Sequence, residues 1–402
     1  MTCDPVRFGV VGLGRAFMLM LPGFRADPRV KLVAAAAPRE QSRNAFEAEF
    51  GGRTYADIKG LCADPEVEAI YVATPHQFHC AHVIAAAKAG KHVLVDKPLS
   101  VSMEDGTAMV SAAREAGIHL IVGPSHSFDG PVAQARALID SGALGRVRMI
   151  QALNYTDFLY RPRRPEELRT KEGGGVLFSQ GVHQIDIVRL LAGGLASSVT
   201  AMTGAWDPAR PTEGAYSALL DFQGSAFASL TYSGYAHFDS DEWMGWIGEL
   251  GHPKSPEAYG GARKALQAVD TADAEAALKS TRTYGAGEAP PAASHHEHFG
   301  PIIVLCERGD LRLTPTGLHV YDNFEKSFRP APVLRFPRAE VFDAVVNAVR
   351  GNRAPAQTGA WGLATLEVCY AILEAARTGT SVALNHQIAA ADGAPHPIPE
   401  ER

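Results

Sequence analysis

Two side chains stand where they could handle a proton and an alcohol. Lys97 lies in VLVDKPLS, residues 93–100. Val93 to Val95 has the make-up of a short buried strand, and Pro98 stops it. A lysine at the C-terminal end of a parallel strand points into the crevice where open sheets bind ligands. There it can hydrogen-bond a hydroxyl or carbonyl oxygen and take part in proton transfer. Taken alone, the segment also suits a surface Lys-Pro loop. The second side chain is His183, in GGGVLFSQGVHQIDIVRLLAGG, residues 173–194. Gly173, Gly174 and Gly175 would let a substrate come close to the backbone. The amphipathic helix that follows carries His183 and Asp186 on one face. A histidine can take a proton from an alcohol near neutral pH, and a carboxylate one turn away could orient its other ring nitrogen.

The elements around these residues read as a nucleotide site. GVVGLGRAF, residues 9–17, puts Gly12, Gly14 and Arg15 directly after a first strand. The first glycine allows a tight turn, and the second lets a pyrophosphate approach the next helix N-terminus. The third position of the fingerprint is Phe17 rather than a small residue. ATPHQFHCAHV, residues 73–83, places Thr74, Pro75 and His76 at the end of another strand, where they could floor a nicotinamide pocket. His79, Asp96 and Lys97 complete the expected cofactor lining. His79 and His82 are spaced i, i+3, with no carboxylate or cysteine to make a metal site. The second strand ends at Ala37, where an NAD site usually carries an acid. Arg39 and Arg43 follow, either as solvated helix-start residues or as partners of a 2′-phosphate. The cofactor expected is NADP or NAD, with NADP favoured.

Two charged segments remain. RPRRPEELRTK, residues 161–171, contains Arg161, Arg163, Arg164, Arg169 and Lys171 just before the three glycines. It is either a solvated basic loop or a binding site for substrate carboxylates. HHEHFG, residues 295–300, holds His295, His296, Glu297 and His298 without helical zinc spacing, so no metal is expected.

Strand–helix alternation over the first 125 residues predicts a doubly wound parallel sheet, with strands at Phe8–Val11, Leu32–Ala36, Ala69–Ala73, His92–Val95 and Leu120–Val122. From residue 126 to 385 the pattern predicts a second α/β domain on a large open, mostly antiparallel sheet. An Ala-, Gly- and Pro-rich insertion or flap falls at about 251–294, and a poorly ordered tail at 386–402. The chain of 402 residues is 46% hydrophobic and 20% charged, with a net charge of −6, which argues against nucleic acid. Five scattered cysteines suggest no disulfide framework, and a reducing cytoplasm fits. No segment reaches transmembrane length, and no signal peptide is recognisable.

The segments GLGRAF, TPHQFH, DKP and SQGVH, in this order, resemble the glucose–fructose oxidoreductase / inositol dehydrogenase / MocA family. The resemblance spans nearly the whole chain. It implies a Rossmann domain, an α/β second domain, and nicotinamide-dependent hydride transfer at a carbinol. Lys97 matches the family's catalytic lysine and His183 its catalytic histidine. Asp96 replaces the glutamate of EKP, and Ser179 replaces the aspartate four residues before the histidine. FSQGVHQIDIVRLLAGG, HPKSPEAYGGARKAL and WGLATLEVCYAILEAARTG look like the branch of phthalate 4,5-cis-dihydrodiol dehydrogenases. That branch implies oxidation of a carboxylated cyclic cis-dihydrodiol, of the 4,5-dihydroxy-4,5-dihydrophthalate type, to a catechol. Arg161, Arg164, Ser179, Gln180 and His183 are the expected substrate contacts. A homo-oligomer, dimer or tetramer, is expected, with a small-molecule substrate and no membrane partner. A sugar, inositol or polyol dehydrogenase is the alternative enzyme, and a non-catalytic NADP-binding sensor the alternative of another class.

Overall fold

The computed structural model describes residues 4–287 and 291–390. Six strands open the chain: β1 (Val6–Val11), β2 (Val30–Ala36), β3 (Arg53–Tyr55), β4 (Ala69–Val72), β5 (His92–Val95) and β6 (Leu120–Val122). They pair in parallel in the order β3-β2-β1-β4-β5-β6. Their near-continuous apolar runs follow from burial on both faces. β3, sequence RTY, is too short and polar to show a strand pattern.

One face of this sheet packs against helices Arg15–Ala26 and Ala339–Gly351. Phe24 meets Phe342 edge-on at 4.9 Å between ring centroids. A helix that the sequence pattern groups with the second domain thus completes the core of the first. The other face carries helices Ile58–Ala63, His79–Lys88 and Met103–Glu115, with Leu363 from the long helix Gly359–Thr378.

The second sheet has nine strands: β7 (Val147–Tyr155), β8 (Ala196–Gly204), β9 (Ala215–Phe222), β10 (Phe227–Ser233), β11 (Ile302–Cys306), β12 (Gly309–Thr314), β13 (Gly317–Asp322), β14 (Lys326–Pro330) and β15 (Val382–Ala383). Their order is β14-β13-β12-β11-β7-β10-β9-β8-β15. Only β7 and β10 run parallel; the other neighbours are antiparallel. Helices Gly130–Asp140, Val182–Ala192 and Gly359–Thr378 cover one face. Among the described residues no helix covers β8 and β9 on the opposite face: burial alternates along β9 and exposes Leu219, while Met202 on β8 is 77% exposed.

The region expected to be a flap is a strap between the domains. After helices Gly261–Gln267 and Ala272–Ser280, residues 281–287 turn onto the first domain. Tyr284 packs edge-on against Phe17 at 5.2 Å, and its hydroxyl donates to Glu49 Oε2 at 2.7 Å. The Ser42 hydroxyl donates to the Tyr284 carbonyl at 2.9 Å. The first residues of the expected tail are held against the second domain. Arg189 Nε donates to Gln387 Oε1 at 2.8 Å, and the Ala390 N–H to the Gly193 carbonyl at 2.9 Å. The remainder of that tail, 391–402, lies outside the described residues. Among those described, no helix is long and apolar enough to cross a membrane.

Candidate active site

The glycine loop joins β1 to helix Arg15–Ala26. Gly12 has φ +94°, and a Cβ there would lie 2.8 Å from the Ala73 carbonyl oxygen, so the turn against β4 requires glycine. Gly14 caps the helix without any side-chain cap, and a Cβ there would meet only the Ala73 oxygen, at 4.0 Å. The first-turn N–H groups therefore face open space, with Arg15 beside them, an arrangement that fits a dinucleotide pyrophosphate. Phe17, the third fingerprint position, is buried and supports the strap through Tyr284.

At the end of β2, Ala37 is buried. Arg39 donates to the Thr283 hydroxyl at 2.7 Å and to the Leu13 carbonyl at 3.3 Å, joining strap to glycine loop. Arg43 donates to the carbonyls of Ala37 and Pro38 at 2.8 and 2.9 Å and so ties down its own turn.

Lys97 follows β5. Its N–H donates to Asp96 Oδ1 at 2.7 Å, and its ammonium to the Ser179 carbonyl at 2.7 Å. Burial lowers the lysine's pKa, against the pull of Asp96 and Glu249. Ser179 lies in a π-helical turn, Leu177–Gly181, that runs into helix Val182–Ala192. Turns of this kind release carbonyls from regular pairing. Ser179 thus meets the lysine through its main chain, not through a hydroxyl in place of the expected aspartate. Gln180, in the same turn, is buried, and its side-chain amide oxygen Oε1 has no partner.

The strand end at Thr74 is locked to the DKP loop by His79. Its Nδ1 lies 2.9 Å from the Pro98 oxygen and its Nε2 3.0 Å from the Thr74 oxygen. Thr74 Oγ1 lies 3.1 Å from His82 Nδ1. Pro75 starts the short turn His76–Phe78, and burial, helped by His79 and Lys97, lowers His76 to about 3.

His183 is 6% exposed, and its Nδ1 has no hydrogen-bond partner. Burial first, then the charges of Lys97, His126 and Arg338, hold its pKa well below the ordinary value, so the ring is neutral at pH 7. The expected orienting bond from Asp186 is absent. Asp186 Oδ2 accepts from the Ser125 and Ser127 hydroxyls at 2.5 and 2.6 Å, and Oδ1 accepts from the Trp361 indole N–H. That carboxylate serves the core. Instead the ring of His183 lies 4.7 Å from that of His126 and 5.3 Å from that of Phe299.

His126 was not apparent from the sequence. Its Nδ1 lies 2.7 Å from Asp129 Oδ2, and its Nε2 3.6 Å from Glu249 Oε1. Burial opposes its charge, but Asp129 and Glu249 prevail and raise its pKa to about 10. Glu249 in turn is lowered to about 2: burial opposes, while His126, Arg161 and Lys97 prevail.

The arginine-rich segment divides. Arg161 lies 3.3 Å from Asp157 and 4.0 Å from Glu249, at the crevice. Arg163 is buried on the Phe158 ring at 3.5 Å, donates to the Phe158 carbonyl at 2.8 Å, and is lowered by burial to about 10. Arg164, expected beside the substrate, is paired with Glu166 and Glu167 at 3.2 and 3.6 Å. Arg169 pairs with Glu172, and Lys171 is exposed.

In HHEHFG, His296 Nε2 meets the Pro332 oxygen at 2.7 Å and His298 Nε2 the Ile247 oxygen at 2.8 Å. Glu297 accepts from Arg338 at 3.1 Å. Arg338, Glu249, His126 and Asp129 carry no local sequence motif; only Glu297 fell in a segment that attracted attention.

A parallel sheet with an uncapped helix at its glycine loop, facing a lysine and a neutral histidine across a crevice, defines a nicotinamide-dependent oxidoreductase. Residues 6–124 match the family described as oxidoreductase family, NAD-binding Rossmann fold, and residues 132–252 match the GFO/IDH/MocA C-terminal domain. The chain belongs to this Gfo/Idh/MocA oxidoreductase family and is a dehydrogenase with an NAD-binding Rossmann domain. It is 48% identical over 374 residues to the 1-carboxy-3-chloro-3,4-dihydroxycyclohexa-1,5-diene dehydrogenase of Comamonas testosteroni, covering 92% of this chain and 94% of the relative. The crystal structure of a protein described as a dehydrogenase from Bordetella bronchiseptica RB50 superposes with a TM-score of 0.90 at 42% identity, covering 94% of this chain and all of that one. A levoglucosan dehydrogenase in complex with NADH and levoglucosan shares the fold, with a TM-score of 0.71 at 20% identity over 95% of this chain and 99% of that one.

Proposed function

We propose that this enzyme oxidises one carbinol of a carboxylated cyclic cis-dihydrodiol, giving a catechol. The observation that carries the reading is the gathering of Lys97, His126 and Arg161 around Glu249, each also with a carboxylate of its own: Asp96 beside Lys97, Asp129 on His126 and Asp157 on Arg161. Arg161, at 3.3 Å from Asp157 and 4.0 Å from Glu249, is the guanidinium that can turn to a ring carboxylate next to the reacting diol. The similar Comamonas enzyme is named for a carboxylated dihydroxycyclohexadiene.

Bound nicotinamide supplies the hydride acceptor. Lys97, held by the Ser179 carbonyl and depressed by burial, reaches its uncharged form at lower pH than an exposed lysine and accepts the hydroxyl proton. His183, neutral and with a free Nδ1, hydrogen-bonds the second hydroxyl. Arg161 holds the carboxylate. Loss of hydride and proton gives a hydroxy-enone, which tautomerises to the aromatic ring. That driving force lessens the demand on the base and agrees with the absence of an aspartate at position 179.

At the adenosine end, Arg39 has no carboxylate partner among the described residues, which supports binding of a 2′-phosphate and use of NADP. The face of the nine-stranded sheet that no helix covers at β8 and β9, with Met202, Trp206 and Leu219 exposed, supports a homo-oligomer formed face to face. The four described cysteines are free thiols, which suits a reducing cytoplasm.

The test is steady-state kinetics, followed at the reduced-nicotinamide band, with a dihydrodiol bearing a ring carboxylate, its uncharged analogue, and a panel of polyols. A higher kcat/KM for the carboxylated diol is expected. Preference for neutral polyols would leave the sugar-dehydrogenase alternative, and cofactor binding without any turnover would leave the sensor.

A further inference from the structure

Behind His183 lies a cavity of about 10 Å³, bordered by His126, Asp129, His183, Glu297, Arg338 and Glu340. That volume is about what one water or one ion occupies and cannot admit an organic group. Pro124, Phe128 and Val341 complete its wall, so the polar groups face it from one part of a mixed lining. A single donor atom from each of His126, Asp129 and Glu297 comes within 4.8 Å of the other two. Two segments supply them: the turn His126–Phe128 with the helix cap Asp129 that follows it, and the HHEHFG run. An independent observation points to a missing occupant. His183 is 6% exposed, borders the same cavity, and leaves its Nδ1 without any partner. Buried polar atoms in a native fold are nearly always satisfied, so an orphan on a one-atom cavity marks a ligand.

We infer that His126, Asp129 and Glu297 form a site for one divalent transition-metal ion, open on its fourth side toward His183. One imidazole and two carboxylates select zinc, manganese or ferrous iron over magnesium, which keeps its water and prefers all-oxygen sites. Ion binding releases the proton that His126 Nδ1 and Asp129 Oδ2 share at 2.7 Å, and those two donors move apart. Ligand atoms bonded to zinc at about 2.0–2.2 Å lie no more than about 4.4 Å apart, so Glu297 must shift inward from Arg338. Arg338 would then hold the outer oxygen of Glu297, and Glu249, 3.6 Å from His126 Nε2, would orient the imidazole from behind. The open position faces His183, so the ion's role is to anchor an oxygen beside that ring. Binding of the ion itself needs no substrate, so this inference stands or falls apart from the dihydrodiol reading.

The experiment uses full-length, tag-free protein stripped with chelator and titrated with Zn²⁺ by calorimetry, then with Co²⁺ by visible absorption. One equivalent should bind, and Co²⁺ should give ligand-field bands of a nitrogen–oxygen site without a thiolate charge-transfer band. Asp129→Asn and Glu297→Gln should each weaken binding at least about 100-fold, beyond the 10–100-fold typical of an outer partner. His126→Gln should abolish the cobalt bands. Glu172→Gln, in an exposed ion pair, should bind as the wild type does. Circular dichroism verifies folding of each variant, and the wild-type cobalt spectrum stands even if a variant fails to fold. No saturable binding up to millimolar Zn²⁺, a thiolate band, or unchanged affinity in folded Asp129→Asn and Glu297→Gln would each overturn the site.

Discussion

On the parallel-sheet wall of the crevice, polar side chains are fixed by main-chain atoms; on the opposite wall they are fixed by one another. His79 bridges the Thr74 and Pro98 carbonyls, Asp96 accepts the Lys97 N–H, and Lys97 reaches the Ser179 carbonyl. Across from them, His126 leans on Asp129, Glu249 on Arg161, Glu297 on Arg338, and Asp186 on two serines and Trp361. The difference teaches where chemistry can vary. A main-chain anchor survives a change of neighbouring side chains and holds a fixed reagent. A wall of paired side chains can be rewritten pair by pair, which suits the part of the site that recognises substrate.

If that division is right, removing Lys97 should strike turnover hardest. Lys97→Ala should lower kcat by roughly 100-fold or more, with cofactor binding retained. Because burial depresses this lysine, the wild-type rate should rise with pH along a limb centred below the ordinary lysine value, and the variant should lack that limb. Near-normal turnover in stopped assays would break the comparison outright.

Next in size, Asp186→Asn should cost about 2–3 kcal/mol of stability, since a buried carboxylate with several donors is replaced by an amide with fewer acceptor sites. Urea unfolding reads this. The pH profile of kcat/KM should keep its shape, because Asp186 does not touch His183. A displaced profile with unchanged stability would restore the orienting role.

Neutralising the substrate-facing wall should act on binding. Arg161→Gln should raise KM roughly tenfold with kcat little changed, the mark of interactions shared by ground and transition states. Arg164→Gln, paired with Glu166 and Glu167, should leave KM within about twofold. Equal effects from the two variants would erase the distinction between a crevice arginine and a surface one.

The smallest effect concerns the loop behind that wall. Burial opposes ionisation of Glu167, but Lys279, Arg163 and the Arg164 N–H prevail and hold it to about 2. A depressed carboxylate stabilises the fold above its unfolded pKa and loses that contribution as pH falls through the folded value. Glu167→Gln should therefore lower thermal stability at pH 7, and the gap to wild type should close between about pH 4.5 and pH 2. A gap that persists in acid would assign the loss to packing.

The same contrast explains what was legible in the sequence. Gly12 and the strand ends could be read because backbone geometry dictates residue type locally: a positive φ demands glycine, and a buried strand demands an apolar run. The parallel sheet and the open second sheet followed from such runs. Glu249 and Arg338 could not be read, because each matters only through partners far away in the chain; His126 and Asp129 pair locally, but what brings them to the site, Glu249 and the ring of His183, is distant in the sequence. Asp186 was misread for the related reason that helical spacing shows which face a residue takes, not what waits there. Nor does a run of cations show which carboxylate each one meets: Arg161 reaches Glu249, while Arg164 pairs with its neighbours Glu166 and Glu167.

Helix Ala339–Gly351 fills the parallel sheet's open side, and Phe342 lies so close to Gly23 that a Cβ there would be 2.2 Å away. Linear order and physical unit therefore part company here. A truncation ending at residue 125 would keep all six strands yet uncover Phe8, Phe24 and their neighbours, leaving a fragment prone to self-association. The molecule should melt in one cooperative step rather than domain by domain, and it becomes a working dehydrogenase only once its last quarter has been synthesised.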